Sequence, residues 1–229
     1  MAKHLDLEEQ EQLDQLKHFW NTWGTLISSV VLVVAGSVAA WNGYQYWQNR
    51  QATQAAALFD AVDVAAKSGE KARLEQAFGD LKSKYAGTTQ AGQAGLLVAK
   101  SMQDAGNSDG AKDALTWVAE QSKDEGLKAL AQLRLASVLM EQKNYDEALK
   151  QVSGSFPPEF ASVVADRKGD VLQLQDKRQE AIAEYTKAYK GLEEGVEYRR
   201  LVEIKLNALG VSPQGATVIA ATNSPVEAK

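Results

Sequence analysis

Hydrophobic and polar residues follow two different rules along this chain, and the rule changes near residue 50. Between Lys17 and Arg50 there is no Asp, Glu, Lys or Arg. The middle of that stretch reads Leu26-Ile27-Ser28-Ser29-Val30-Val31-Leu32-Val33-Val34-Ala35-Gly36-Ser37-Val38-Ala39-Ala40. Trp20 and Trp23 precede it, and Trp41, Tyr44, Tyr46 and Trp47 follow it. About 20 mostly apolar residues cross a bilayer as a helix, and amphipathic rings settle at the two headgroup levels. The pattern predicts one transmembrane helix over residues 22–46. A buried helix of a soluble protein rarely stays charge-free for so long. A cleaved signal peptide begins with a basic segment, whereas Asp6, Glu8, Glu9, Glu11 and Asp14 here outweigh Lys3 and Lys17. An uncleaved anchor is expected.

From Ala52 onward apolar residues recur at helical spacing in a background of Ala, Leu, Gln, Glu and Lys, a composition that favours helices. Breaks fall at Ser68-Gly69, Ala86-Gly87-Thr88, Gly106-Asn107, Lys143-Asn144, 153–158, Asp176-Lys177 and Gly191. The segment 135–149 superposes on 168–182 at an offset of 33 residues, with Ala136 on Gly169, Leu139 on Leu172 and Ala148 on Ala181. A small residue, a large apolar residue three later and Ala twelve later form the tetratricopeptide pattern. Tyr185 and Ala188 extend it in the second copy. Ala99, Met102 and Ala111 form an earlier, degenerate copy. An atypical pair over 52–85 and a closing helix near 194–209 would cap the stack, since one face of a terminal unit meets water.

The expected fold is all-α, one N-terminal transmembrane helix followed by a tetratricopeptide-like helical-repeat solenoid. Its parts are a short acidic head (1–21), the span (22–46), the repeat domain (47–210) and a disordered C-terminal tail (211–229), which lacks periodicity.

Composition narrows the chemistry. The net charge is −5, and the repeat half is near neutral with no basic cluster, which argues against nucleic acid as a partner. The chain has no cysteine, so no disulfide, thiolate nucleophile or Cys-ligated zinc site is available. Its two histidines, His4 and His18, lie on the head side of the span, leaving the repeat domain without His-based catalysis or metal ligation. No enzyme activity, metal or cofactor is expected. Lys3 and Lys17 on one side balance Arg50 and Lys67 on the other, so the positive-inside rule favours neither orientation.

Several segments in order carry a resemblance: Glu8-Glu9-Gln10-Glu11-Gln12, Leu16-Lys17-His18-Phe19-Trp20 and Trp23-Gly24 before the anchor, then Trp47 and the Ala-rich stretch 52–66. Leu115-Thr116-Trp117-Val118, Gly169-Asp170, Glu180-Ala181 with Tyr185, and Tyr198-Arg199 to Leu206 follow. In this order the chain resembles the YfgM family, the ancillary subunits of the bacterial Sec translocon. The resemblance implies a single-pass protein of the bacterial inner membrane, with a cytoplasmic N-terminus and a periplasmic repeat domain. It also implies two partners, the SecYEG translocon and a PpiD-like periplasmic chaperone; unfolded client chains are a further expected partner, because a broad surface using Leu and Met suits them. A scaffold or assembly factor for envelope complexes, and a regulator acting through the cytoplasmic head, are the alternatives.

In stacked helical pairs the first helix of each pair lines a concave surface suited to extended segments. The register places Leu96, Lys100 and Gln103 there, then Leu130, Leu133, Ser137 and Met140, then Val163, Asp166, Asp170 and Gln173. This lining reads as apolar in the middle and acidic toward the last unit, without the clustered Lys and Arg that clamp a carboxylate. In the span, Ala35, Ala39 and Gly43, with Gly36 and Ala40, recur at the four-residue spacing that lets helix backbones approach in lipid.

Overall fold

The computed structural model describes residues 7–213, and among them there is no β-strand. The first six residues of the head and residues 214–229 of the expected tail lie outside the described residues. Nine α-helices follow in order among the described residues: α1 Leu7–Ser68, α2 Lys71–Tyr85, α3 Thr89–Asp104, α4 Ser108–Gln121, α5 Glu125–Glu141, α6 Tyr145–Gln151, α7 Ala161–Leu174, α8 Arg178–Gly191 and α9 Glu197–Ala208. A short 3-10 turn, Pro158–Phe160, precedes α7.

Helix α1 is 62 residues long, where the sequence suggested a head, a span and a separate first repeat helix. The reason is local: no proline occurs before Pro157, and the isolated glycines of this stretch cost only about 1 kcal/mol each in a helix. Two compact units divide the chain, Met1–Thr53 and Gln54–Lys229. In the first, Val31, Leu32 and Val33 are 59%, 73% and 68% exposed, so the apolar surface of this helix is not spent on a protein core. Among the described residues this is the one helix long and apolar enough to cross a membrane.

The second unit is the repeat array. Residues 54–68 of α1, with α3, α5, α7 and α9, act as A helices; α2, α4, α6 and α8 return as B helices. Every A helix ends in the same cap. A left-handed residue, Gly69, Gly106, Lys143, Asp176 or Gly210, follows it with φ between 59° and 75°. The amide of the next residue then reaches back to donate to a carbonyl five positions earlier: Asn107 to Met102 and Asn144 to Leu139 at 2.8 Å, Lys177 to Leu172 at 2.9 Å, Val211 to Leu206 at 3.0 Å, Glu70 to Ala65 at 3.2 Å. This is the Schellman arrangement, which satisfies the orphan carbonyls of a helix end. B helices and the next A helices start on side-chain caps where Asn107 accepts from Gly110, Thr88 from Ala91 and Asp124 from Leu127, each stabilising by about 1 kcal/mol.

The cap fixes a register, and the core follows from it. Ala99, Met102 and Ala111 are at most 5% exposed, as are Ala136, Leu139 and Ala148, and Leu172, Ala181, Tyr185 and Ala188. At Gly169 the two helices touch: a Cβ there would lie 2.6 Å from the Tyr185 ring. In α9 the same register position holds Glu203, which is too large for so close an approach by a following B helix. Among the described residues α9 is the last helix of the array, and its exposed side chains are mixed, Arg200 and Asn207 beside Leu201 and Ile204. Buried side chains form two clusters: one from Ala55 to Val171, including Phe78 edge-on to Trp117 at 5.4 Å, and one joining Leu172, Tyr185, Tyr189, Val202 and Leu206.

Candidate functional site

The exposed edge of the A helices is the surface the sequence nominated, and the register shows which side chains form it. Leu96 and Leu133, at the same place in α3 and α5, are 7% and 6% exposed and belong to the core. Leu130, Met140 and Val163 are half-buried and pack against that core. Lys100, Gln103 and Gln173 are exposed. The Ser137 hydroxyl is half-buried and donates to the Leu133 carbonyl at 3.1 Å.

Asp166 and Asp170 lie elsewhere in character. Asp166 is 1% exposed. Its carboxylate accepts from the Tyr198 hydroxyl at 2.6 Å and from Lys205 Nζ at 2.8 Å. Asp170 accepts from Lys205 at 2.6 Å and from the Tyr185 hydroxyl at 2.8 Å; Gln173 Oε1 is 2.9 Å from that same hydroxyl. Burial first, then the neighbouring aspartates, push the Tyr185 and Tyr198 hydroxyls well above the usual tyrosine range, so both stay protonated donors. The acids read as an acidic end of the lining are thus neutralised inside the α7–α9 interface. Both carboxylates are engaged by α9.

What the fold does assemble is a trough along the first three A helices. A cleft of about 300 Å³ is lined by Ala99, Lys100, Gln103, Leu115, Arg134 and Ser137. A wider groove of about 520 Å³ lies beside it, with Asp63, Lys67, Lys71, Leu97, Lys100 and Asp104 in its wall. Lys100 is common to both. Of the residues picked from sequence, Lys100, Gln103 and Ser137 come together here; Asp63, Lys67, Lys71 and Arg134 were not anticipated. Arg134 follows Leu133, and a shift of one residue turns a helix face by about 100°. Asp63 and Lys67 belong to the first pair, read as atypical. The signal was present in the recurrence of Gly69 and Gly106 just after their apolar runs.

Among the described residues no three His, Cys, Asp or Glu side chains could jointly hold a metal ion. In the first unit Ala35, Gly36, Ala39, Ala40 and Gly43 are all exposed on α1. A Cβ added at Gly36 or Gly43 would meet nothing within 4 Å, so this strip is smooth and open.

The family described as tetratricopeptide repeat-like domain matches residues 17–211. The chain is 35% identical to the ancillary SecYEG translocon subunit of Neisseria gonorrhoeae over 91% of its own length and 100% of that protein. It is 32% identical to the protein of that name from Haemophilus influenzae, over 76% of this chain and 89% of the relative. With the Escherichia coli protein of that name identity is 25%, over 89% and 97%.

Proposed function

The chain belongs to the family of ancillary SecYEG translocon subunits, and we propose that it serves at the translocon of the bacterial inner membrane as a membrane-anchored interaction protein. In this reading α1 crosses the membrane over about residues 22–46 and docks on SecYEG, with the head cytoplasmic. The repeat domain lies in the periplasm, holds a PpiD-like chaperone and receives translocated chains along its A helices. The family is one of accessory subunits with a tetratricopeptide-like fold, not an enzyme family.

The observation that carries the reading is the joining of two surfaces in one chain: an exposed apolar helix with small residues at four-residue spacing, and a repeat array whose A helices leave an open trough. Tethering matters physically, because confinement beside the channel raises effective concentration and weak contacts suffice. Two partners on two surfaces make a specific expectation. Full-length protein pulled down in mild detergent should bring translocon subunits and a periplasmic isomerase-type chaperone. Replacing residues 22–46 by an unrelated membrane helix should lose the translocon and keep the chaperone. Recovery of other envelope proteins with neither partner would replace this reading with the scaffold alternative.

A further inference from the structure

A terminal helix meets more water than an interior one, so its free side should be the more polar. On α9 the exchange runs the other way. Counted from the left-handed cap residues, Leu201 and Ile204 take the places that Arg134 and Ser137 hold on α5, and Arg167 and Asp170 on α7. Leu201 is 45% and Ile204 57% exposed, three residues apart on one helix. Leu174, at the end of α7, is 48% exposed, and Ala208, which has its register place on α9, is exposed as well. The A-helix face thus ends in an apolar edge beyond the polar trough.

The course of the chain after α9 bears on what covers this edge. Gly210, at φ 74°, and the Val211 amide, which donates to the Leu206 carbonyl, close the helix. Val211 packs on the second core cluster, and the chain is turning at Pro213. Ser212-Pro213-Gln214-Gly215 places Ser, Pro and Gly at the first, second and fourth positions favoured by a type I turn. A reversal there sends the chain back along α9. The apolar run that follows is Val218-Ile219-Ala220-Ala221.

The distances agree. An extended chain advances about 3.3–3.6 Å per residue, so Val218 comes about 10 Å beyond Gly215. A helix rises about 1.5 Å per residue, so Ile204 and Leu201 lie about 8 and 12 Å back from Leu209. A segment tethered this closely meets the edge at roughly millimolar effective concentration, which no second molecule matches at ordinary dilution.

We propose that residues 218–221 of the C-terminal tail cover the apolar edge that Leu201 and Ile204 form on α9. The family match ends at residue 211, so this cover lies outside the matched repeat domain. It leaves the trough along the first three A helices open.

The chain has no cysteine, so introduced thiols report without background. Full-length protein in neutral detergent micelles carries Ile204→Cys, and its alkylation by a maleimide-polyethylene glycol reagent is followed by gel shift. Val218→Asp with Ile219→Asp in the same chain should speed that reaction roughly tenfold, the effect of losing one buried aliphatic contact. Lys100→Cys, in the trough, should react at one rate with either tail. Paired Ile204→Cys and Val218→Cys should join under mild oxidation within one chain, since a disulfide needs Cα atoms within about 7 Å. Val64→Cys, on the exposed side of the first A helix, should not join Val218→Cys. Equal alkylation of Ile204→Cys with both tails overturns the proposal, as does a 204–218 pair that joins no faster than the 64–218 pair. Protection that grows with protein concentration, with disulfides linking two chains, overturns it in favour of a second copy on this edge.

Discussion

Small residues set the distance of closest approach in the array. At Gly169 an added Cβ would stand 2.6 Å from the Tyr185 ring, and at Gly95 it would stand 2.3 Å from a Val118 methyl and 3.3 Å from Phe78. Gly169→Ala and Gly95→Ala are each expected to destabilise the domain by about 1–3 kcal/mol, the cost of overpacking a filled core; urea unfolding at constant slope measures it. Unchanged midpoints would mean the helices can slide apart freely. Leu133, by contrast, is buried, so Leu133→Glu reports on folding and not on binding, and Lys100 and Arg134 are the positions that probe the trough. The two raised tyrosines make a pH prediction. A group whose folded pKa lies above its unfolded value stabilises fully below the unfolded value, about 10 for tyrosine, and loses that contribution as pH rises. Stability owed to Tyr185 and Tyr198 should hold through neutral pH and decline above about 10. Ultraviolet phenolate titration should show two of the seven tyrosines ionising after the others.

Among the helices, α9 depends most on a polar interface. Lys205 donates to both Asp166 and Asp170, and Arg178 at the start of α8 donates to the Leu209 carbonyl at 2.8 Å. Removing one member of a buried pair leaves the other charge uncompensated, a loss of about 3–5 kcal/mol. Lys205→Met is therefore expected to release α9. Because each repeat contacts mainly its neighbours and the buried side chains form two clusters, amide hydrogen exchange should rise in α7–α9 and stay unchanged in α3–α5. A uniform rise along the array would show that the clusters unfold as one.

Over the whole molecule, many ion pairs of the repeat domain are exposed neighbours on a single helix, such as Lys84 with Asp80 and Lys128 with Glu125. Pairs of this kind contribute about 0.3–0.5 kcal/mol each, so they keep the surface solvated and do not hold the fold. Stability comes from the alternation of small and large apolar residues repeated at intervals of 33 to 37 residues. The membrane-competent part of α1 uses the same residue types for the opposite purpose, with its valines turned outward.

The repeat period, the all-helical class and the apolar span were legible from the sequence, because each is a local pattern whose period is imposed by the helix itself. Ala136, Leu139 and Ala148, and Gly169, Leu172 and Ala181, are buried as their spacing requires. The lining of the trough was not legible to the same degree. Neighbouring helix positions such as Leu133 and Arg134 differ by about 100° around the axis, and only packing against the adjacent A helices decides which of the two is buried. Nor does spacing reveal charge balance: Asp166 and Asp170 read as an acidic surface until α9 delivers Lys205 from 35 to 39 residues away and takes them inside. The tertiary structure decided the sign of the exposed face, because a carboxylate's role is set by the partner that reaches it through space.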